Sequence, residues 1–226
     1  HLVFIIMSLL IIVPFLIILG SSFQSQKDIA LNGYRIIPKE FSLLSYQMIF
    51  KNPTSILNAY GVTIFTTVVG VVISMLLCTS FAYVLSRPDY RYRRILMMYI
   101  FFTMLFNGGM VANYLWIANT LGLKNNIWSL ILPTTVSAWN VMLMKGFLAG
   151  VPLSMIESAR IDGAHEFTIY YKIVLPCAKP ALATVALFYA LTYWNDWYLA
   201  LMYIDNDRLL NLQSLLQRIL KNIALL

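Results

Sequence analysis

Charged residues are scarce in this chain of 226 residues, and that scarcity excludes a soluble globular protein. Asp, Glu, Lys and Arg make up 11% of the sequence, hydrophobic residues make up 60%, and the mean hydropathy is +0.76. Soluble domains average about 25% charged and about 45–50% apolar residues. The net charge of +7 does not indicate nucleic-acid binding, because the basic residues are scattered at the ends of apolar runs. We therefore expect a membrane protein.

Cysteine and histidine are also scarce, with two of each. Cys78 lies inside an apolar run and Cys177 beside a polar loop, so no disulfide or metal framework is predicted. His165 has no second histidine near it in the sequence and lies outside the apolar runs, which favours a surface position over a proton relay. The sequence therefore predicts no metal site.

Motifs for catalysis and nucleotide binding are missing too. The sequence contains no Walker A glycine loop, no H-E-x-x-H and no G-x-S-x-G. A chain without a Walker A loop is not expected to bind and hydrolyse ATP by itself. The sequence therefore predicts a protein that is not an enzyme and binds no cofactor of its own.

Long uncharged runs are what the sequence has instead, and they predict an all-α polytopic membrane protein. No charge occurs at residues 52–86, 95–123, 125–144 or 180–195, and about 20 residues suffice to cross the hydrocarbon core as a helix. The predicted membrane spans are residues 2–23, 58–86, 95–117, 127–148 and 180–204. An outer loop at residues 24–57 and an outer amphipathic segment at residues 205–226 complete the chain.

The orientation in the membrane follows from the arginines in one short loop. Residues 87–94 contain four arginines, and short loops rich in Lys and Arg face the cytoplasm. Two spans later, the loop at residues 152–179 falls on the same side. It is polar and holds three of the nine acidic residues of the chain, which indicates a role in water.

The cytoplasmic loop at residues 152–179 is predicted to form two short helices joined by a turn. Ser154 is expected to cap the first helix, with Glu157 three residues later completing a capping box. Gly163 is expected to end that helix in the left-handed conformation, which glycine adopts without steric cost. The second helix, over about residues 166–174, is predicted to stop before Pro176.

The same loop resembles the EAA signature of the membrane subunits of binding-protein-dependent ABC importers. The pattern is E-[AS]-A-x(3)-G-x(9)-I-x-L-P, with a common extension R-I-D-G-A. It is carried by Glu157, Ser158, Ala159, Arg160, Asp162, Gly163, Ile173, Leu175 and Pro176. The pair Trp194 and Asn195 in the next span resembles the carbohydrate-importing branch of that family, of the maltose and multiple-sugar type.

The resemblance implies an ABC importer type I transmembrane subunit, with a sixth span expected beyond the five visible here. The implied partners are a second, related but different permease chain, two cytoplasmic ATPase subunits that hold ATP and Mg²⁺, and an extracytoplasmic solute-binding protein. The implied substrate is a sugar or oligosaccharide, and the implied location is the bacterial inner membrane.

In this family the first helix of the loop docks into the ATPase and acts as a coupling helix. Ile156, Ala159 and Gly163 are expected to form a narrow face for close docking. Glu157 and Arg160 are expected to form ion pairs with the ATPase, although a role of Glu157 in capping its own helix stays open.

Polar and aromatic residues inside the apolar runs are candidates for the translocation pathway. They are Asn107, Trp139, Asn140, Trp194, Asn195 and Asp196. Around Asn107, two consecutive glycines are expected to break the helix, either facing the pathway or as a packing notch. The aromatic residues near Asp196 could instead form an interfacial belt.

Two other kinds of transporter stay open as alternatives. An ABC importer permease for a non-sugar solute would carry similar aromatic spans. An ion-coupled secondary carrier should show charges inside several spans, whereas Asp196 is the one acidic residue inside the predicted spans.

Overall fold

The computed structural model describes residues 1–51 and 53–224, which are mostly helical. The α-helices, numbered in chain order, are α1 (Leu2–Ser21), α2 (Gln26–Asn32), α3 (Leu44–Lys51), α4 (Pro53–Ser86), α5 (Arg93–Leu105), α6 (Gly109–Tyr114), α7 (Ala138–Ala149), α8 (Leu153–Ile161), α9 (Glu166–Thr168), α10 (Leu175–Cys177), α11 (Lys179–Trp194), α12 (Tyr198–Tyr203) and α13 (Leu212–Ala224). Two π-helical stretches, Leu115–Thr120 and Ile169–Val174, extend α6 and join α9 to α10.

The chain divides into two compact units, His1–Ser55 and Ile56–Leu226. In the first unit, α1 is a continuous helix with Pro14 inside it, as predicted. The segment predicted as an outer loop contains two short helices, α2 and α3. The Ser25 side chain caps α2 by accepting a hydrogen bond from the backbone N–H of Asp28.

The second unit contains the long helix α4 and the docking loop predicted at residues 152–179. Its main apolar core joins one face of α4 to α7, α8, the Ile169–Val174 stretch and α11. Val141, Ile169, Val174 and Val185 are completely buried in this core. The docking loop therefore rests on the same core as the long apolar helices.

One helix of the described residues, α4, is long and apolar enough to cross a membrane unbroken. Three further pairs of helical segments reach that length and composition together but are bent at a break: Arg93–Leu105 with Gly109–Thr120 by 115°, Ile127–Thr134 with Ala138–Ala149 by 50°, and Glu166–Cys177 with Lys179–Trp194 by 86°. The number of spans stays a prediction.

Two of the predicted spans are broken where the sequence analysis expected continuity. The fourth consists of 3₁₀ turns over Ile127–Thr134 followed by α7, where the Ser137 side chain accepts a hydrogen bond from the backbone N–H of Asn140. The fifth is interrupted after α11, and Asp196 accepts a hydrogen bond from the backbone N–H of Leu199 in α12. Side-chain caps replace the helical hydrogen bonds that are lost at each break.

Tertiary contacts hold the break before α7. The Tyr193 hydroxyl donates to the backbone carbonyl of Ile131 at 3.1 Å and bonds to the Ser74 hydroxyl at 2.9 Å. The Tyr189 hydroxyl accepts a hydrogen bond from the backbone N–H of Ser137. Two tyrosines of α11 thus bond backbone groups at the break, as an apolar environment requires.

Candidate functional site

The docking loop at residues 152–179 begins with helix α8 and a tight turn at Gly163. Gly163 has a φ of +79°, which confirms the left-handed conformation predicted for it. The backbone N–H of Ala164 bonds to the carbonyl of Ala159, and that of Gly163 bonds to the carbonyl of Arg160. This is the Schellman arrangement, which satisfies the last carbonyls of a helix and reverses the chain.

The predicted capping box at the start of α8 is wrong. The helix already begins at Leu153, after Pro152, and no side chain caps it. The φ of Pro152 is fixed near the helical value, and its carbonyl accepts a hydrogen bond from the backbone N–H of Met155, so the helix starts one residue before Ser154. Glu157 is exposed and forms neither an ion pair nor a capping hydrogen bond within the described residues.

The face of α8 that was predicted to dock is also different. Ile156 and Ala159 are 2% and 8% exposed and pack into the core of their own chain, so they cannot form a docking face. The opposite face is exposed and carries Glu157, Ser158 and Ile161, the last at 86% exposure. Residues three and four apart share one side of a helix, so these three side chains form a continuous outward face.

The second helical part of the docking loop runs further than predicted. It continues from Glu166 through Pro176 to Cys177, and the prediction that it stops before Pro176 is wrong. The π-helical stretch Ile169–Val174 widens the turn just before Pro176, where the ring would otherwise collide with a carbonyl one turn earlier. Ile173 packs against the core, Leu175 is half-buried, and Pro176 is exposed.

Arg160 makes two ion pairs inside the chain rather than pointing away from it. Its Nε lies 2.7 Å from Oε1 of Glu166, and its Nη2 lies 2.8 Å from Oδ2 of Asp89 in the loop before α5. The Tyr83 hydroxyl, near the end of α4, donates to Oε2 of Glu166 at 2.6 Å. We call these four residues, Tyr83, Asp89, Arg160 and Glu166, the Arg160 clamp.

The hydrogen bonds of the Arg160 clamp favour the ionised form of both of its carboxylates. The bond from Tyr83 and that from Arg160 together hold the pKa of Glu166 below its ordinary value, although partial burial acts in the opposite direction. Partial burial would raise the pKa of Asp89, but the hydrogen bond from Arg160 and its positive charge lower it. Both carboxylates are therefore ionised at neutral pH.

Helix breaks contain or adjoin all six residues predicted to line the pathway. Asn107 lies between α5 and α6, where its Oδ1 accepts hydrogen bonds from the backbone N–H of Gly109 and from Asn113. Gly109 has a φ of +79°, which confirms the predicted break of the helix. Trp194 and Asn195 end α11, and Asp196 caps α12.

Trp139 and Asn140 lie together in an open groove beside the break before α7. The groove has a volume of about 560 Å³ and is lined by Ser137, Trp139, Asn140, Phe188, Tyr189 and Thr192, among others. Trp139 is 61% exposed, whereas Asn140 is 6% exposed. Asn107, Trp194, Asn195 and Asp196 do not line this groove, so the structure brings together two of the six predicted residues here.

The family model for the inner membrane component of binding-protein-dependent transport systems matches residues 76–223 of the chain. That match covers about the last third of α4 and the whole docking loop. The chain belongs to this family.

Relatives of known sequence agree with this membership. The polygalacturonan/rhamnogalacturonan transport system permease protein YtcP of Bacillus subtilis (strain 168) is 40% identical over 94% of this chain and 73% of its own length. Protein LplC of the same organism is 39% identical over 92% of this chain and 70% of its own length. The multiple sugar-binding transport system permease protein MsmG of Streptococcus mutans is 31% identical over 88% and 73%.

A solved structure shows the same fold. A chain of a bacterial ABC transporter involved in the import of the acidic polysaccharide alginate superposes with a TM-score of 0.88 at 31% identity, over 96% of this chain and 77% of that chain. The fold is therefore that of a type I importer permease, as the resemblance of the docking loop implied.

For this family member, sequence reasoning missed Tyr83 and Asp89 as parts of the docking loop's surroundings. Both lie more than 70 residues before the residues they bond, and neither belongs to the loop pattern. The one available signal was Asp89 itself, a single carboxylate within a run of arginines at residues 87–94. An acidic residue in such a run suggests a partner elsewhere, but it does not identify Arg160.

Proposed function

We propose that the chain is the membrane-spanning permease subunit of an ATP-driven importer that moves a saccharide delivered by an extracytoplasmic solute-binding protein. The observation that carries the proposal is the outward face of α8, followed by the turn at Gly163. It presents Glu157, Ser158 and Ile161 to a neighbour while the other face is packed on the core of the chain. Family membership supports this proposal.

The energy source is proposed to lie in partner subunits. The chain has no nucleotide-binding motif, so ATP and Mg²⁺ would be held by two ATPase subunits docked on α8. A second permease chain would complete the pathway, and several spans would cross the bacterial inner membrane. The exposed Ile161 supplies an apolar anchor and Glu157 a charge for directional pairing at such a docking interface.

The proposed substrate is an oligosaccharide, and acidic oligosaccharides are the first candidates. YtcP is named for polygalacturonan and rhamnogalacturonan transport and the solved transporter for import of the acidic polysaccharide alginate, whereas MsmG is named for multiple sugars. The groove beside α7 supplies an exposed indole for stacking on a sugar face and amide and hydroxyl groups for its hydroxyls. No basic side chain is among the residues that line this groove, so the groove would contact neutral parts of the sugar.

The proposed function is tested with the complete complex in proteoliposomes. ATP hydrolysis is measured with the solute-binding protein loaded with oligogalacturonate, alginate oligomers, a neutral arabino-oligosaccharide, or an amino acid. Stimulation by one of the saccharides is expected, together with uptake of the labelled sugar. Stimulation by the amino acid alone, or uptake that persists without ATP in an imposed ion gradient, would overturn the proposal.

The contribution of the groove is tested by replacing its tryptophan. Trp139→Ala is expected to lower saccharide uptake by about 10-fold, which corresponds to about 1.4 kcal/mol, because the aromatic face available for stacking on the sugar is lost. Trp116→Ala, at a ring of similar exposure outside the groove, is the matched control. Equal uptake by both variants would exclude the groove from the pathway.

A further inference from the structure

We propose that the Arg160 clamp is a positioning device that makes the docking loop and the end of α4 move together. This proposal rests on the proposed function, because it concerns how a displacement of α8 by the ATPase reaches a membrane helix. The loop pattern does not assign a role to these residues, because Tyr83 and Asp89 precede it and Glu166 occupies one of its unspecified positions.

The bonds of the clamp form one unbroken chain between three segments. Asp89 lies in the loop after α4, Arg160 in the last turn of α8, and Glu166 at the start of α9. The two oxygens of Glu166 are both used, since Oε1 accepts from Arg160 and Oε2 accepts from Tyr83. A shift of α8 therefore pulls on the end of α4 and on its following loop at the same time.

Arginine is required at the centre of this chain of bonds. The guanidinium offers several donors in a rigid planar fork, so Nε and Nη2 can hold two carboxylates at fixed positions. Lysine carries the same charge, but its ammonium group is a single point on a flexible stem. A lysine at position 160 is expected to hold one carboxylate at a time and to leave the other segment unattached.

The clamp is placed to transmit movement rather than to stabilise the fold. Its ion-pairing side chains are between 39% and 54% exposed, and ion pairs that are this exposed contribute little to stability. The loop is fixed independently by the buried Ile156 and Ala159 and by the Tyr170 hydroxyl, which bonds to Thr79 at 2.7 Å. Variants of the clamp are therefore expected to fold and assemble.

A second arginine, Arg87, lies beside the clamp and affects the choice of variants. Arg87 is 5% exposed, its guanidinium lies 4.4 Å from the centre of the Tyr83 ring, and it lines the same cavity of about 340 Å³ as Asp89 and Glu166. In an Arg160→Gln variant, Arg87 can shift towards the carboxylates that are set free. Glu166→Gln and Tyr83→Phe remove the link itself and are the more direct tests.

The experiment compares sugar transported per ATP hydrolysed in the complete complex in proteoliposomes. Glu166→Gln and Arg160→Lys are expected to lower this ratio at least about 5-fold, which is the smallest effect usual for coupling between two sites. The ATPase subunits should still co-purify with both variants. Tyr83→Phe is expected to lower the sugar-to-ATP ratio less. The double variant Arg160→Lys/Glu166→Gln should have the same ratio as Glu166→Gln alone. Arg91→Gln and Tyr90→Phe, in the same arginine-rich loop but outside the clamp, should match wild type.

Failure of this proposal differs from failure of the proposed function. An unchanged ratio in Glu166→Gln and Arg160→Lys, or a loss of transport only in proportion to lost assembly, would overturn the role of the clamp. A wild-type complex without saccharide-stimulated hydrolysis would instead overturn the proposed function. Additive losses in the double variant would show that the two residues do not act through one link, which also overturns the proposal.

Discussion

The contact between Gly70 and Tyr193 shows how one residue fixes the position of a whole helix. A Cβ added at Gly70 would lie 2.5 Å from the Tyr193 ring. That ring cannot move aside easily, because its hydroxyl is bonded to Ser74 and to the carbonyl of Ile131. Glycine at position 70 therefore lets α11 approach α4 closely enough for Tyr193 to reach the break before α7.

Gly70→Ala is expected to destabilise the protein by about 1–3 kcal/mol, the usual cost of overpacking a core. Gly61→Ala is the matched control, since no atom lies within 4 Å of a Cβ added there in the same helix. Alanine should be neutral or stabilise the helix at position 61. Thermal unfolding of the purified protein in detergent measures both, and equal melting temperatures would contradict the close approach.

The ionisation of Glu166 gives a prediction about pH. Its pKa is lowered from the ordinary value of 4.5 by Tyr83 and Arg160, so its bonds are fully formed above that value. They are lost only as the pH falls through the lowered pKa. Sugar transported per ATP is therefore expected to stay constant between about pH 5 and pH 8. A ratio that falls on acidification within this window in wild type, but not in Glu166→Gln, would contradict the assignment.

At the scale of the element, the glycine signals were read correctly, whereas contacts between residues distant in sequence were not predicted. The break at Asn107–Gly109 and the turn at Gly163 follow from glycines, whose backbone preference acts within a few residues. The breaks before α7 and α12 depend on caps by Ser137 and Asp196 and on tyrosines of another helix. The two caps are local, but the bond of Tyr189 at the break before α7 is set by tertiary packing, which hydrophobic periodicity does not contain.

In the docking loop too, features that depend on neighbouring residues were predicted and features that depend on tertiary contacts were not. Its pattern identified the family and the position of the turn, because both depend on residues close in sequence. Which face of α8 points outward could not be read from the helix alone, since Ile156 and Ala159 are as apolar as a docking face would be. The partner of Arg160 at Asp89, 71 residues away, follows only from the folded arrangement.

The left-handed turn that ends α8 supplies a prediction for the element as a whole. Gly163→Ala places a side chain at a φ of +79°, which costs about 1–2 kcal/mol and tilts α8 away from its position. Saccharide-stimulated ATP hydrolysis is expected to fall several-fold while the protein remains folded. Gly146→Ala, in the helix α7 with open space around the added Cβ, is the control and should behave as wild type. Normal stimulation in Gly163→Ala would remove the turn from the coupling path.

At the scale of the whole molecule, the proposals depend on which side of the membrane the docking loop faces. The two native cysteines are suited to this question, because Cys177 in the loop is exposed and Cys78 in α4 is completely buried. A membrane-impermeant maleimide should react with Cys177 in inside-out vesicles and leave it unmodified in intact spheroplasts. Cys78 should remain unmodified in both and serves as an internal control.

The segment before α13 is expected to face the outside of the cell, opposite to the docking loop. Asp207→Cys, at a side chain that is 83% exposed, should react in spheroplasts and stay protected in inside-out vesicles. The four arginines between α4 and α5 place that loop in the cytoplasm. The docking loop lies two predicted spans later and therefore falls on the same side, which its proposed contact with an ATPase requires independently. Labelling of Cys177 from outside the cell would contradict both arguments at once, since no ATPase could then reach α8.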